Sequence, residues 1–594
     1  MDQRTGSGPP TSANPASAHP ASAIPPALQT PGLKFSDTVA HLIARCLQRH
    51  GIEILFGQSL PSMLHLACEE LGLRQVAYRT ENAGGYMADA HARLTRRPSV
   101  VTAQNGPAAT LLVPPLAEAL KVSIPLIALV QDVGRTETDR NAFQDFDHLG
   151  LFAACTKWVR RVTEASRVED YIDQAFVAAC SGRPGPVVLM LPADLLTEPA
   201  PPARRSIGLG RFPLDRTVAA PDAVHAAALL LANARRPLVI AGGGVHISGA
   251  HEALAAVQQA AHLPVATTVM GKGSVDETHP LSLGVVGYFM GPNGATRHLR
   301  PLVAEADVVL LVGNRTNQNG TDSWKLYPRH ASYIHIDTDG QEVGRNYEAL
   351  RLVGDARETL LALARELAAL DLSARQQARP ALEARIAEGK QAHRDESAAL
   401  RQSAAVPIRP ERVMAELDRL LTPASIVVSD ASYSSIWTSN YLSCRRAGSR
   451  FLTPRGLAGL GWGFPMALGA RLARPEADIW CVAGDGGFGH VWSELETATR
   501  MGLKVVLIVL NNGILGFQKH AENLKYGAHT SAVDFAPVDH AAIARACGCA
   551  GVRITEPAAL AGAFADALAE PRTTLIEVMC DENAYPPLTF YDPA

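Results

Sequence analysis

The sequence predicts an α/β protein built from three consecutive doubly wound parallel-sheet domains. Three observations lead there. The chain has 594 residues, too many for one hydrophobic core at roughly 100–200 residues per domain. Short, continuous apolar runs alternate with helical patterns, as expected for strands covered on both faces by helices. Two stretches of different composition divide that alternation into blocks of similar size.

Residues 1–34 are rich in Pro, Ala and Ser, bury too little surface to offset their ordering entropy, and are expected to be disordered. Residues 35–198 form the first block, with apolar runs at Ser99–Thr102, Pro125–Val130 and Pro186–Leu191. Residues 199–219, carrying Pro199, Pro201 and Pro202, form a linker. Residues 220–372 make a Rossmann-like central block, with strands expected at Pro237–Ala241, Pro264–Thr268, Asp307–Val312 and Ser332–Asp337. Residues 373–404 are charged and alanine-rich and form a helical connector. Residues 405–594 hold the last block, with strands at Ser425–Ser429, Asp478–Ala483, Lys504–Leu510 and Thr574–Met579.

Composition excludes several classes. A formal charge of -3 provides no field for nucleic acid, and no apolar run reaches the roughly 20 residues that span a membrane. Nine scattered cysteines suggest reduced thiols and a cytoplasmic protein rather than a disulfide framework.

The sharpest local signal lies in the last block. Asp478–Ala483 runs into Gly484-Asp485-Gly486-Gly487; a helical stretch and the strand Lys504–Leu510 follow, ending in Asn511-Asn512-Gly513. Open α/β sheets place ligands at such strand ends. Mg²⁺ takes about six oxygen ligands, several of them from water or phosphate. Asp485 can give a carboxylate oxygen, Asn512 an amide oxygen and Ile514 a main-chain carbonyl. Gly484, Gly486 and Gly487 let the backbone approach a diphosphate closely. A tight turn and a polar loop are each common alone; their spacing across one strand–helix–strand unit is not. It resembles the GDG–NN motif of thiamine-diphosphate enzymes.

A second motif supports the resemblance. Arg79-Thr80-Glu81-Asn82-Ala83 follows an expected short strand, Val76–Tyr78, and opens a helix of small residues. It is similar to the segment R-x-E-x-A-A of the acetohydroxyacid (acetolactate) synthases, which carries their catalytic glutamate. The match selects Glu81 over Glu69 and Asp89, both expected on helical surfaces. Further similarities run from about Phe35 onward: Asn105–Thr110 resembles SGPGAT, Asn141–Asp145 resembles DAFQE, and Gly456–Gly461 resembles GLGTMG.

From that resemblance the three blocks are expected to be pyrimidine-binding, central and diphosphate-binding domains. Glu81 would activate the cofactor and Gln144 would face the active site. Ser434 and Ser435 would contact the diphosphate, the Ala458 carbonyl the 4′-amino group, and Leu460 would bend the cofactor. The implied chemistry decarboxylates a 2-keto acid such as pyruvate and adds the enamine to a second carbonyl, with thiamine diphosphate and Mg²⁺. Glu81 and Asp485 would act across a subunit interface, in a homodimer or homotetramer.

Departures accompany these matches. Gly313–Gly320 keeps Arg315 but lacks the acidic pair of the FAD-binding members, which speaks against FAD. Ala521 replaces a substrate-selecting tryptophan. These changes keep open a decarboxylase or lyase like oxalyl-CoA decarboxylase, 2-hydroxyacyl-CoA lyase or benzaldehyde lyase. A non-catalytic cofactor-binding scaffold has no need of Glu81, Asp485 and Asn512 together. Gly242–Gly244 reads as a turn without a ligand, His490 and His520 as helix-surface residues, and Trp437 and Trp462 as packing aromatics.

Overall fold

A computed structural model describes residues 37–591, so the expected tail lies outside the described residues. The first sheet contains β1 (Ile54–Phe56), β2 (Arg74–Val76), β3 (Ser99–Ala103), β4 (Leu126–Asp132), β5 (Trp158–Arg161) and β6 (Val187–Pro192). The central sheet contains β7 (Pro237–Ala241), β8 (Val265–Thr267), β9 (Ser282–Val285), β10 (Val308–Val312), β11 (Ser332–Asp337) and β12 (Ala349–Val353). The last contains β13 (Ile426–Ser429), β14 (Arg450–Leu452), β15 (Ile479–Gly484), β16 (Val506–Asn511), β17 (Ala550–Ile554) and β18 (Thr574–Met579). All strand pairings within these sheets are parallel.

The outer sheets share one order, β2-β1-β3-β4-β6-β5 and β14-β13-β15-β16-β18-β17, whereas the central sheet is β12-β11-β10-β7-β8-β9. Each order reverses within the sheet, between β1 and β3, between β7 and β10, and between β13 and β15, and the two outer sheets reverse again at one edge, β6-β5 and β18-β17. At such a switch point neighbouring loops leave in opposite directions and open a crevice at the carboxyl ends of the strands. The connector is a single helix, Ser373–Arg401.

The first and last domains share a core. The helix Glu81–Thr95 packs against the helix Gly463–Ala473, and one apolar cluster runs through both domains. Gly469 makes the contact close, since a Cβ there would lie 2.1 Å from the Met87 carbonyl oxygen. Tyr86 stacks on Trp462 at 4.2 Å, confirming Trp462 as a packing residue; Trp437 is likewise buried. Each large apolar side chain buried here contributes about 1.5–3 kcal/mol. Asp89 corrects the sequence expectation: it is fully buried rather than on a helical surface, with Arg93 Nε 2.6 Å away. The last domain covers the face that an isolated first domain would leave to water.

Candidate active site

The switch point of the last sheet and its neighbouring loops enclose a cavity of about 640 Å³, within the usual range for small-molecule sites. Ser434, Ala458, Leu460, Gly484, Asp485, Gly486, Gly487, Asn512 and Ile514 all line it. Ser435 sits behind the wall: its hydroxyl donates to the Ser432 carbonyl at 2.7 Å and accepts from Arg455.

The strand ends aim several oxygens at one another. Asp485 follows β15 and accepts from the Gly513 amide at 3.1 Å. Turning the Asn512 amide over would put its nitrogen 3.3 Å from Asp485 Oδ1 and 3.1 Å from the Ile514 carbonyl oxygen. In the other orientation three acceptors meet with no proton between them, a set that either an amide donor or a hard cation satisfies. Burial pushes the Asp485 carboxyl up to about 6 against the opposing effect of backbone N–H donors. Gly487 permits a close approach, since a Cβ there would stand 2.1 Å from Asp430 Oδ2.

A second wall is the loop 455–463, held by two buried carboxylates. Asp430, just beyond β13, accepts from the amides of Gly461 at 2.9 Å, Trp462 at 3.1 Å and Gly463 at 3.2 Å. Glu118, from the first domain, accepts from Gly456 at 2.9 Å and Leu457 at 2.6 Å. Between these anchors Ala458 adopts φ 62°, a conformation that costs a non-glycine residue energy and persists only where surroundings enforce it. Burial raises both carboxyls, opposed for Asp430 by these amides and for Glu118 first by Arg93 and then by its amides.

Glu81 and Gln144 lie elsewhere. None of the residues lining this cavity belongs to the first domain. Glu81 is half-buried at the start of its helix, whose cap is the Thr80 hydroxyl accepting from Ala83 at 3.4 Å. The Arg79 and Thr80 amides donate to the Glu494 carboxylate of the last domain at 3.1 and 3.2 Å. Gln144 stands at φ 60° with its amide oxygen buried and unpartnered, and its backbone carbonyl accepts from Asn105 at 3.1 Å. The segments around Asn105 and Gln144 therefore meet, beyond the carboxyl end of β3.

His520 corrects another expectation. It is buried against the cavity wall, not on a helix surface, whereas His490 is exposed. His520 Nε2 donates to the Glu582 carbonyl at 2.8 Å, so Nδ1 accepts from the Tyr433 hydroxyl at 2.7 Å. Tyr433 in turn accepts from Tyr591 at 2.6 Å.

The reading of the sequence also missed Asp430, Glu118, Glu494, Tyr433 and Arg455. Arg455 lines the cavity without a carboxylate partner among the described residues. The available signals were weak: acids inside apolar segments, such as Glu118 within Val113–Val122, which hydrogen-bond when buried.

Another cavity, of about 120 Å³, lies at the β7/β10 switch point, with Ser123, Arg183 and Pro184 of the first domain in its wall. Its glycines serve packing: a Cβ on Gly242 would lie 2.2 Å from the Gly313 carbonyl oxygen. Among the described residues no helix is long and apolar enough to cross a membrane.

Three family models match the chain in the order of its sheets. They are the N-terminal TPP binding domain (residues 37–151), the central domain (residues 224–363) and the C-terminal TPP binding domain (residues 430–578) of thiamine pyrophosphate enzymes. The chain belongs to the thiamine pyrophosphate (diphosphate) enzyme family. Within it, the chain is 32% identical to a probable acetolactate synthase large subunit of Methanocaldococcus jannaschii, over 91% of this chain and 92% of that protein. It is 33% identical to the acetolactate synthase large subunit of Parasynechococcus marenigrum, over 91% and 87%. Identity is 30% to the acetolactate synthase isozyme 3 large subunit of Escherichia coli, over 92% and 96%.

Proposed function

We propose that the chain is a thiamine-diphosphate-dependent carboligase that decarboxylates a 2-keto acid such as pyruvate and joins the remaining carbon unit to a second carbonyl. The observation that carries this reading is the convergence of Asp485, Asn512 and Ile514 oxygens in a cavity that lacks a first-domain carboxylate. The synthase relatives favour the carboligase over the lyase.

When bound, thiamine diphosphate supplies a carbon nucleophile and an electron sink. Asp485, Asn512 and the Ile514 carbonyl fit Mg²⁺, and the backbone of Gly484–Gly487 together with Ser434 fits a diphosphate. Arg455 adds positive charge there, reinforced by Ser435. The Ala458 carbonyl would accept from the aminopyrimidine, and Leu460 would shape the cavity floor. With the cofactor bound, Glu81 would hold and pass a proton at the aminopyrimidine ring nitrogen, and Gln144 would orient the substrate.

Because no first-domain residue of the same chain lines the Asp485 cavity, a complete site takes Glu81 from a second copy.

Complementation tests the arrangement. Glu81→Gln and Asp485→Asn chains, each inactive alone, should recover carboligation when refolded or co-expressed together, since one site of the mixed dimer is intact. Acetolactate from pyruvate is the readout. Continued inactivity of well-folded mixed dimers would refute the shared site, and carbon dioxide release without ligation would refute the carboligase.

A further inference from the structure

A second large cleft lies where all three domains meet, and it shares no lining residue with the cofactor cavity. Its volume is about 730 Å³. The end of the helix Glu81–Thr95 contributes Arg96, the central domain His246 and His251, and the last domain Arg446, Arg450 and Arg474.

These cations lack counter-charges. The side chain of Arg450, at the start of β14, makes no hydrogen bond or ion pair among the described residues, and its Nε is buried and unpartnered. The charges that act on it most, Arg93, Arg474 and Arg96, are all positive, and burial with these neighbours brings its guanidinium down to about 9. The side chains of Arg96 and Arg446 are likewise unpaired, and Arg474 donates only to the carbonyls of Ala473 and Leu94. Arg96 lies over Gly249, where a Cβ would lie 2.0 Å from its Nη1. The two other arginines of the wall are satisfied, Arg216 by Asp355 and Arg357 by Glu358. Glu252 and Glu476 reach the rim and pair with none of these groups.

The histidines complete the wall. His246 Nε2 donates to the Lys272 carbonyl at 3.0 Å, so its Nδ1 accepts from His251 Nε2 at 2.9 Å. That orientation leaves His251 Nδ1 free, with Gly448 beside it. Burial and Arg450 keep both rings neutral, His251 being drawn down to about 4.

We propose that this three-domain cleft is a binding site for a phosphate-bearing small molecule, with Arg450 as its central ligand and Arg96 and Arg446 at its rim. Three unpaired guanidiniums exceed what one carboxylate neutralises, and a tetrahedral dianion accepts bidentate bonds from more than one fork. The site is outside the chemistry of the cofactor cavity, yet β14 leads directly into the loop 455–463 that walls that cavity. Occupancy therefore fixes the three domains together at the root of that loop.

The test uses the full chain saturated with thiamine diphosphate and Mg²⁺, so that the cofactor cavity is filled, and desalted into a phosphate-free buffer. Radiolabelled orthophosphate is titrated by equilibrium dialysis. Saturable binding near one per chain is expected, weakened at least about tenfold by Arg450→Met and by the paired change Arg96→Met with Arg446→Met. Arg96 and Arg446 are exposed, so the paired variant keeps the question open to decision if Arg450→Met does not fold. Tripolyphosphate should displace the label, and succinate should not. Absence of saturable binding, binding unaltered in the Arg96/Arg446 pair, or displacement by succinate at lower concentration than phosphate would each overturn the proposal.

Discussion

The first and last domains repeat one strand order, yet their switch points carry different chemistry. Beyond β13, β15 and β16 stand Asp430, a glycine turn with Asp485, and Asn512: acceptors and close backbone, suited to a cation and an anion together. Beyond β2 and β3 in the first domain stand Glu81 and the Asn105–Gly106 loop against Gln144: a carboxylate without a side-chain hydrogen bond among the described residues and one unpartnered amide oxygen. Topology fixes where a site forms, and the residues at the strand ends decide whether it binds or reacts. On the proposed reading, the last domain holds the cofactor and the first acts on it.

Substitutions sharpen that division. Asp485→Ala should abolish both activity and cofactor retention, with metal affinity falling by more than the 10–100-fold that even outer partners of a metal site cost; calorimetry with Mg²⁺ and thiamine diphosphate checks it. Glu81→Gln should lower turnover by about 10²–10⁴-fold while cofactor affinity measured by fluorescence quenching stays within about threefold. Parallel loss of binding in both variants would erase the distinction. Asp430→Ala leaves three amides unsatisfied and should cost about 3 kcal/mol in urea unfolding, with weakened cofactor binding as its second sign. Glu494→Gln should be milder, about 1 kcal/mol, with turnover reduced and cofactor affinity kept, because it loosens the Arg79–Thr80 turn and the Thr497 hydroxyl contact rather than the cavity wall.

Acid response gives the smallest effect. Asp485 is raised from 3.8 to about 6, so the fold prefers its protonated form. That contribution is fully present below about pH 4 and is lost as pH rises through about 6, a span worth at most about 3 kcal/mol. The cofactor-free protein should therefore gain less stability between pH 7 and pH 5 when Asp485 is changed to Asn. Mg²⁺ and cofactor, which favour the carboxylate, should reverse the preference at pH 7.

The interior strands were legible in the sequence because they are continuous apolar runs: Pro237–Ala241, Ser332–Asp337 and Thr574–Met579 form as read. Edge strands such as Trp158–Arg161, Ala349–Val353, Arg450–Leu452 and Ala550–Ile554 are half-exposed and lack that signature. The short strand before Glu81 ends at Val76 rather than Tyr78, since Tyr78 turns to donate its hydroxyl to the Thr102 carbonyl at 2.8 Å. The cavity-lining residues followed from motifs that bring their own spacing. Asp89 and His520 were misplaced because their covers come from residues far along the chain, the helix Gly463–Ala473 and the Glu582–Tyr591 segment. No local period reports such partners.

The shared core between the outer domains sets a rule for recombination. The central domain has two apolar clusters of its own, but it also meets the last domain through Val285 and Phe289 against Ile436 and Leu588 and through backbone bonds such as Gly448 to Gly273, so exchanging it by crossovers near 219 and 372 must preserve that seam. A chimaera that takes only its first or its last domain from a relative must rebuild Gly469 against Met87, Trp462 against Tyr86, and the amides of Arg79 and Thr80 against Glu494. Libraries of hybrids should therefore yield folded proteins when the two outer domains come from the same parent, and seldom otherwise.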